Sequence, residues 1–385
     1  MRAEARLTLP ARDVSLPARG AAVAAAGEGS AGAVAEAPSA PPPRPAPAPE
    51  PEWAGWDDER LLDLRLCDLG VRIEGSGIED RIEELYRELD GRGLVFRPHF
   101  WLSDEWFCPD GEPGIAIPFY LAHPRLARLE MAQMHEVEGG TPEWCLKILR
   151  HETGHAIENA YRLRRRPRRR ELFGRTSEPY PDSYAPRPYS KSFVRHLDAW
   201  YAQSHPDEDF AETFAVWLTP QSEWRRRYSG WPALRKLEYV DKVMRQVDSR
   251  PPLETSRARP YALSVLRKTL RAHYAQRRGH YGVDHPPSYD RHLLKLFSRA
   301  PEHARQVAAS HFLSRARKRV RARVSRWTGQ RQYVVDGVLK GMIARCSELR
   351  LRLAGAEDEA ELEFSVLLAV EVMNHLRSGG HRVPL

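Results

Sequence analysis

Between Ser76 and Asp90 the residues Ile78, Ile82, Leu85, Tyr86 and Leu89 recur at helical spacing, and Gly91 stands at the exit. The spacing predicts an amphipathic helix. The pattern then shortens. Leu94-Val-Phe, His99-Phe-Trp-Leu and Gly114-Ile-Ala-Ile-Pro-Phe-Tyr-Leu are brief apolar runs. The turn-rich Ser103-Asp and Pro109-Asp-Gly-Glu-Pro-Gly divide them, which predicts short strands of a small sheet. Thr141-Pro-Glu opens a second helix, with Thr as the cap, Pro in the first turn and Glu beside it. Cys145, Ile148, Leu149, Ala156 and Ala160 keep one apolar stripe along it. A basic run, Arg164–Arg170, follows and is interrupted by Pro167; a Tyr/Pro/Ser-rich loop then runs from Phe173 to Ser190. Helices are expected over Lys191–Gln203, Pro206–Leu218 and Tyr239–Val247. The leucine-rich Asp57–Leu69 is ambiguous between helix and strand.

The pattern changes after Pro251-Pro252. Amphipathic helices are expected over 261–278, 287–299, 301–326, 331–353 and 357–376, separated by Gly, Pro or acidic turns. This reads as an all-helical domain over 256–385. At the other end, residues 1–52 are low in complexity, and the run from Ala40 to Pro51 alternates Pro with Ala, Arg or Glu. Such a segment holds no regular hydrogen-bonded structure and is expected to be an extended, disordered tail. Between the two lies a mixed α+β domain over 53–250.

Composition adds three constraints. The chain of 385 residues is 42% hydrophobic and 29% charged, enough to bury a core and remain soluble. Its net charge of +8 is unevenly spread. From Ser256 onward Lys and Arg outnumber Asp and Glu by 25 to 11, whereas the rest carries 35 against 41. The basic third could attract nucleic acid, anionic lipid or an acidic partner. Its densest cluster is Ser314-Arg-Ala-Arg-Lys-Arg-Val-Arg-Ala-Arg. No aromatic stacking platform accompanies these arginines, so a solvated helix face, offset by acids such as Glu357-Asp-Glu, is favoured over a phosphate-binding one. The basic run Arg164–Arg170 is read in the same way. Cys67, Cys108, Cys145 and Cys346 are scattered and form no C-x-x-C pair, as expected of reduced thiols. No apolar run approaches the roughly 20 residues that span a bilayer, and no compact signal sequence opens the chain. A cytoplasmic protein without membrane contact is expected, its oligomeric state left open.

The chemistry is carried by His151-Glu-Thr-Gly-His155, in the middle of the helix that Thr141 caps. Two histidines four apart on a helix share a face, so both imidazoles reach one Zn²⁺ while Glu152 points toward a metal-bound water. In a chain with 15 histidines, chance alone supplies such a motif in roughly one sequence in twenty. Ordinary core or surface histidines are the competing reading. A hydrolytic zinc site needs a third protein ligand and one open position. The segment Ser204-His-Pro-Asp-Glu-Asp-Phe-Ala-Glu offers one. Glu208 and Glu212 are four apart and share a face, so Glu208 is assigned as the third ligand. Glu212 is assigned to hold a ligand histidine through its other ring nitrogen. His205 and Asp209 compete for the third position. Carboxylates in a first helical turn are also simply favourable charge.

H-E-x-x-H followed on a later helix by E-x-x-x-E resembles the gluzincin class of zinc metallopeptidases. More closely, Tyr201-x-x-x-His-Pro-x-Glu-Asp-Phe-Ala-Glu-Thr-Phe-Ala resembles the bacterial family of putative zinc-binding metallopeptidases. Trp56 to Val247 resembles that family throughout, including Trp101-Leu-Ser-Asp-Glu-Trp and Gly114-Ile-Ala-Ile-Pro-Phe-Tyr. The tail and the C-terminal third are not covered. The helix from Glu208 to Glu212 is also similar to that of anthrax lethal-factor-like peptidases, in which a tyrosine seven residues before the ligand Glu faces the metal. Tyr201 stands at that offset. The resemblance implies a zincin-like metallopeptidase domain, one Zn²⁺ per chain held by His151, His155 and Glu208, and a protein or peptide substrate. It implies Glu152 as general base and Tyr201 as the partner of the developing oxyanion; aromatic packing beside Trp200 is the plainer role for Tyr201. By fold analogy, the strand Gly114–Tyr120 is expected to pair with an extended peptide. One departure stands out: 53 residues separate His155 from Glu208, longer than in the thermolysin-type arrangement. The competing function is a nucleic-acid- or partner-binding protein that uses the zincin fold as a scaffold.

Overall fold

The protein is described from a computed structural model that places residues 50–181, 183–184, 186–198, 200–280, 289–377 and 383–384. The Ala/Pro-rich tail lies outside the described residues as far as Pro49. A short helix α1 (Asp58–Leu62) precedes α2 (Gly77–Gly91), which Ser76 caps by accepting from Ile78 N–H at 3.3 Å. Ile78, Ile82, Leu85 and Leu89 form its buried stripe, as the spacing predicts. Strands β1 (His99–Ser103) and β2 (Gly114–Pro118) pair in parallel with His99 opposite Gly114.

Next come α3 (Pro124–Met134), α4 (Pro142–Ala160) and α5 (Pro167–Phe173). Thr141 Oγ1 accepts from Trp144 N–H at 3.2 Å and Pro142 occupies the first turn of α4. The two-residue β3 (Ser183–Tyr184) pairs antiparallel with β6 (Val383–Pro384) near the end of the chain. Helices α6 (Pro206–Leu218), α7 (Trp224–Arg227) and α8 (Leu234–Val247) complete this part. The helix α9 (Leu270–His280) and the turn before it add Leu263, Leu270 and Tyr274 to the same core. At the centre α4 packs on α6, with α2 and β2 behind α4 and α8 behind α6. Every residue of α6 from Asp207 to Leu218 is buried, so this is an interior helix rather than an amphipathic one.

Three expectations are corrected. The described residues of Lys191–Gln203 form no α-helix; among them Tyr201–Gln203 makes a 3₁₀ turn. Its backbone groups have distant partners instead. Arg195 N–H donates to Tyr228 Oη at 3.0 Å and Leu197 N–H to Glu212 Oε2 at 2.8 Å. The Lys191 carbonyl accepts from Ala233 N–H at 3.2 Å, and the Ser192 carbonyl from Lys236 Nζ at 2.9 Å. Leu94-Val-Phe is not a strand, because Val95 N–H is drawn to the Asp248 carbonyl at 3.0 Å. Nor is β2 open to an extended peptide. It is buried throughout, β1 takes one edge, and Ala116 exchanges both backbone bonds with Phe107 on the other. With the strand buried and its central residue already paired on the outer edge, an added peptide strand finds no room.

A second core gathers α10 (Asp290–Leu296), α11 (Ala309–Thr328), α12 (Gln332–Glu348) and α13 (Glu357–Arg377). The short strands β4 (Phe297–Ser298) and β5 (Arg352–Leu353) pair at its edge. Its arginines alternate along α11, and the helical period sorts them onto two faces. Arg317 and Arg321 reach Asp336 on α12. Arg315, Arg319 and Arg323 reach Glu357 and Glu361 on α13. The run therefore lies on a solvated helix whose charge is offset by acids of α12 and α13, and it is not a free basic face. Burial raises the Asp336 carboxyl, but hydrogen bonds from His135 and Arg317 outweigh it and hold the pKa well below its ordinary value. His135 Nε2 lies 3.1 Å from Asp336 Oδ2, and Arg331 pairs with Glu138 at 3.1 Å. These contacts tie the second core to the end of α3. No described helix is long and apolar enough to cross a membrane.

Candidate metal centre

The site forms where α4 crosses α6. The crossing is close because residue 154 is Gly: a Cβ there would lie 2.7 Å from Ala211 Cα and 3.0 Å from the Ala211 carbonyl oxygen. Glycine inside a helix costs about 1 kcal/mol against alanine, so it stands where backbone contact is required. The crossing brings His151 and His155 on α4 against Glu208 on α6. His151 Nε2 lies 2.9 Å from Glu208 Oε2, and His155 Nε2 lies 3.2 Å from both atoms. All three side chains are buried. Among the described residues, this is the cluster of His, Cys, Asp and Glu whose donor atoms converge as metal ligands would.

The donors suit zinc. Two imidazole nitrogens and one carboxylate oxygen are zinc's ligand types, and donors 2.0–2.1 Å from one tetrahedral ion stand roughly 3.3 Å apart. The observed separations of 2.9–3.2 Å are close to that. Glu212 accepts from His151 Nδ1–H at 2.9 Å, an arrangement that would offer Nε2 to a bound ion. The other oxygen of Glu212 is held by Leu197 N–H. The cluster favours cations strongly. Burial disfavours the charged form of His151, yet hydrogen bonds to Glu208 and Glu212 outweigh it and raise the pKa to about 10. Burial likewise raises Glu208, but the two histidines more than reverse it, so its carboxyl lies well below the ordinary value. Glu152 is buried beside the cluster, and burial raises its pKa although both histidines pull it down.

The rival ligands lie elsewhere. His205 caps α6: Nδ1 accepts from Asp207 N–H at 3.1 Å and Nε2–H donates to the Glu178 carbonyl at 2.9 Å. Asp209 points to the opposite face and pairs with Lys236 at 2.5 Å. Tyr201 lies beside His151, ring centroids 5.5 Å apart, with Tyr184 behind it at 6.4 Å.

The long segment between the ligand helices packs on the site. Arg169, from the basic run, is completely buried. Nε donates to Glu158 at 2.7 Å, Nη2 to Asp207 at 2.6 Å, and Nη1 to the Gly174 carbonyl at 3.1 Å. Arg164 joins Glu158 at 3.1 Å and Asp207 at 3.3 Å, and also pairs with Asp110. Two members of the run, Arg164 and Arg169, thus bridge the end of α4 to the start of α6, while Arg165, Arg168 and Arg170 are solvated as expected. Tyr180 donates its hydroxyl to Glu208 Oε1 at 3.0 Å. Burial and the neighbouring Glu208 raise the phenol pKa far above its ordinary value. Gly154 was detectable as an interior helical glycine. Tyr180 carries no local signal, since its partner is 28 residues away.

No curated protein and no solved structure matches the chain. Residues 144–224, which hold the paired histidines, the long connection and the Glu208–Glu212 helix, match the family described as putative zinc-binding metallo-peptidase.

Proposed function

We propose that the chain is a zinc-dependent peptidase with a gluzincin-like site, one Zn²⁺ held by His151, His155 and Glu208. The observation that carries this reading is the convergence of three donors from two helices with no fourth protein donor in the cluster among the described residues. A structural zinc site closes its fourth position with protein, whereas a hydrolytic one leaves it open. Zinc bound there supplies a Lewis acid and a water acidified toward neutrality. Glu152, one residue after His151 on α4, takes the water's proton on its carboxylate and returns it to the leaving amine. Tyr201 steadies the oxyanion from beside His151. Glu212 keeps His151 in the ligand tautomer.

The free thiols Cys67, Cys108, Cys145 and Cys346 support a reducing, cytoplasmic location. The two hydrophobic cores support a zincin-like unit followed by a helical one, with the division after Tyr274 rather than at residue 256, because Leu263, Leu270 and Tyr274 join the first core. The internal pairing of the α11 arginines gives no support to nucleic-acid binding.

The test is Glu152→Gln in a zinc-loaded preparation, assayed on a peptide library by mass spectrometry. The expected result is retained zinc and a loss of hydrolysis of at least about a hundredfold. Undiminished hydrolysis removes Glu152 from the mechanism.

A further inference from the structure

We infer that Tyr180, in the loop between the two ligand helices, is a positioning residue that holds Glu208 to single-oxygen coordination and so keeps the fourth zinc position free. The inference rests on the zinc reading above and assigns a role to a residue which that reading does not use.

The two oxygens of Glu208 have different partners. Oε2 faces His151 and His155 at 2.9 and 3.2 Å, while Oε1 accepts the Tyr180 hydroxyl at 3.0 Å. A carboxylate with a free second oxygen can bind an ion through both, and that would consume the position a water or a carbonyl must take. A hydroxyl donated to Oε1 opposes this.

Tyr180 is part-exposed, at 42%, yet its ring and hydroxyl are both held. Its ring stacks on His205 with centroids 3.7 Å apart and planes 18° apart. His205 is locked by its bonds to Asp207 N–H and the Glu178 carbonyl. The loop is clamped at both ends. Arg169 holds the Gly174 carbonyl, and Gly174 adopts φ +106° against Pro206. Gln203 exchanges both amide bonds with the Arg187 backbone, at 2.8 and 3.0 Å. The loop thus delivers one hydroxyl to one oxygen, with the helix cap as its platform.

Tyr180→Phe keeps the stacked ring and removes only the hydroxyl. Zinc affinity is measured on the full chain by competition with a chromophoric chelator, beside the Tm of the metal-free protein. Cobalt(II) then serves as a spectroscopic probe of coordination number. The expected result is an unchanged metal-free Tm, about a tenfold loss in zinc affinity and weaker visible cobalt bands as Glu208 coordinates through both oxygens. Wild-type zinc affinity together with an unchanged cobalt spectrum overturns the role of Tyr180. Glu208→Ala separates the two levels. If it abolishes zinc binding while Tyr180→Phe behaves as wild type, only the Tyr180 inference fails. If the wild-type chain binds no zinc, both fail.

Discussion

Gly154→Ala adds one methyl group at the crossing of the ligand helices. In an isolated helix the change stabilises by about 1 kcal/mol. Here the new Cβ meets Ala211 Cα at 2.7 Å, whereas carbon atoms rest about 3.5–4.0 Å apart. The obstacle is backbone, so neither partner can swing aside, and α4 and α6 must separate by roughly 1 Å. Overpacking of this kind costs about 1–3 kcal/mol, against which the propensity gain leaves a net loss of about 0–2 kcal/mol. Zinc binding suffers more than folding. Glu208 lies one turn before Ala211, and the donors it completes are 2.9–3.2 Å apart. A shift of roughly 1 Å carries Oε2 out of reach of a common ion, because zinc distances tolerate only about 0.2 Å. The expected outcome is a zinc affinity at least tenfold weaker, about 1.4 kcal/mol, with a metal-free Tm lowered by only a few degrees. Chelator competition and differential scanning fluorimetry read the two quantities. A variant with wild-type zinc affinity and a raised metal-free Tm would falsify the claim that the α4–α6 approach sets the ligand geometry.

Three further outcomes are expected. His273 on α9 is buried with neither ring nitrogen hydrogen-bonded, so His273→Leu should stabilise the protein by about 1–2 kcal/mol at pH 7 in urea unfolding, and a less stable variant refutes this. Burial, with the Arg277 and Lys268 charges, lowers the His273 pKa from 6.5 to about 3. The unfolded chain therefore takes up a proton that the folded chain refuses, stability falls as pH drops from 6.5 toward 3, and the Leu variant should show a shallower fall. Arg169→Met removes one of the two cations beside buried Glu158 and Asp207 and should cost about 3 kcal/mol, whereas a loss under 1 kcal/mol would mean that Arg164 suffices alone. Zinc at a thousand times its Kd should raise stability by about 4 kcal/mol over chelator-treated protein, and an unchanged Tm in His155→Ala identifies the site responsible.

The two helices that carry the cluster were legible because their signals are local. Thr141 and Pro142 start α4, Pro206 starts α6, and the spacings 151/155 and 208/212 lie within single helices. What remained hidden depends on distant partners. Lys191–Gln203 has passable helical composition, yet Glu212, Tyr228 and Ala233 claim its backbone groups. Arg169 reads as surface charge until Glu158 and Asp207 are brought to it, whereas the α11 arginines do lie on a solvated face, offset by Asp336, Glu357 and Glu361. Tyr180 lies in a loop whose composition says only that it turns. His205 shows a subtler limit: beside Glu208 its residue type fits a ligand, and only the cap geometry turns it away from the cluster.

The central claim is that His151, His155 and Glu208 form one zinc site. Metal analysis of the purified full chain beside His155→Ala and Glu208→Ala tests it most directly. One zinc per chain in the wild type, lost in both variants with folding retained, is the expected result. A wild-type chain without zinc, or variants that keep it, would contradict the account.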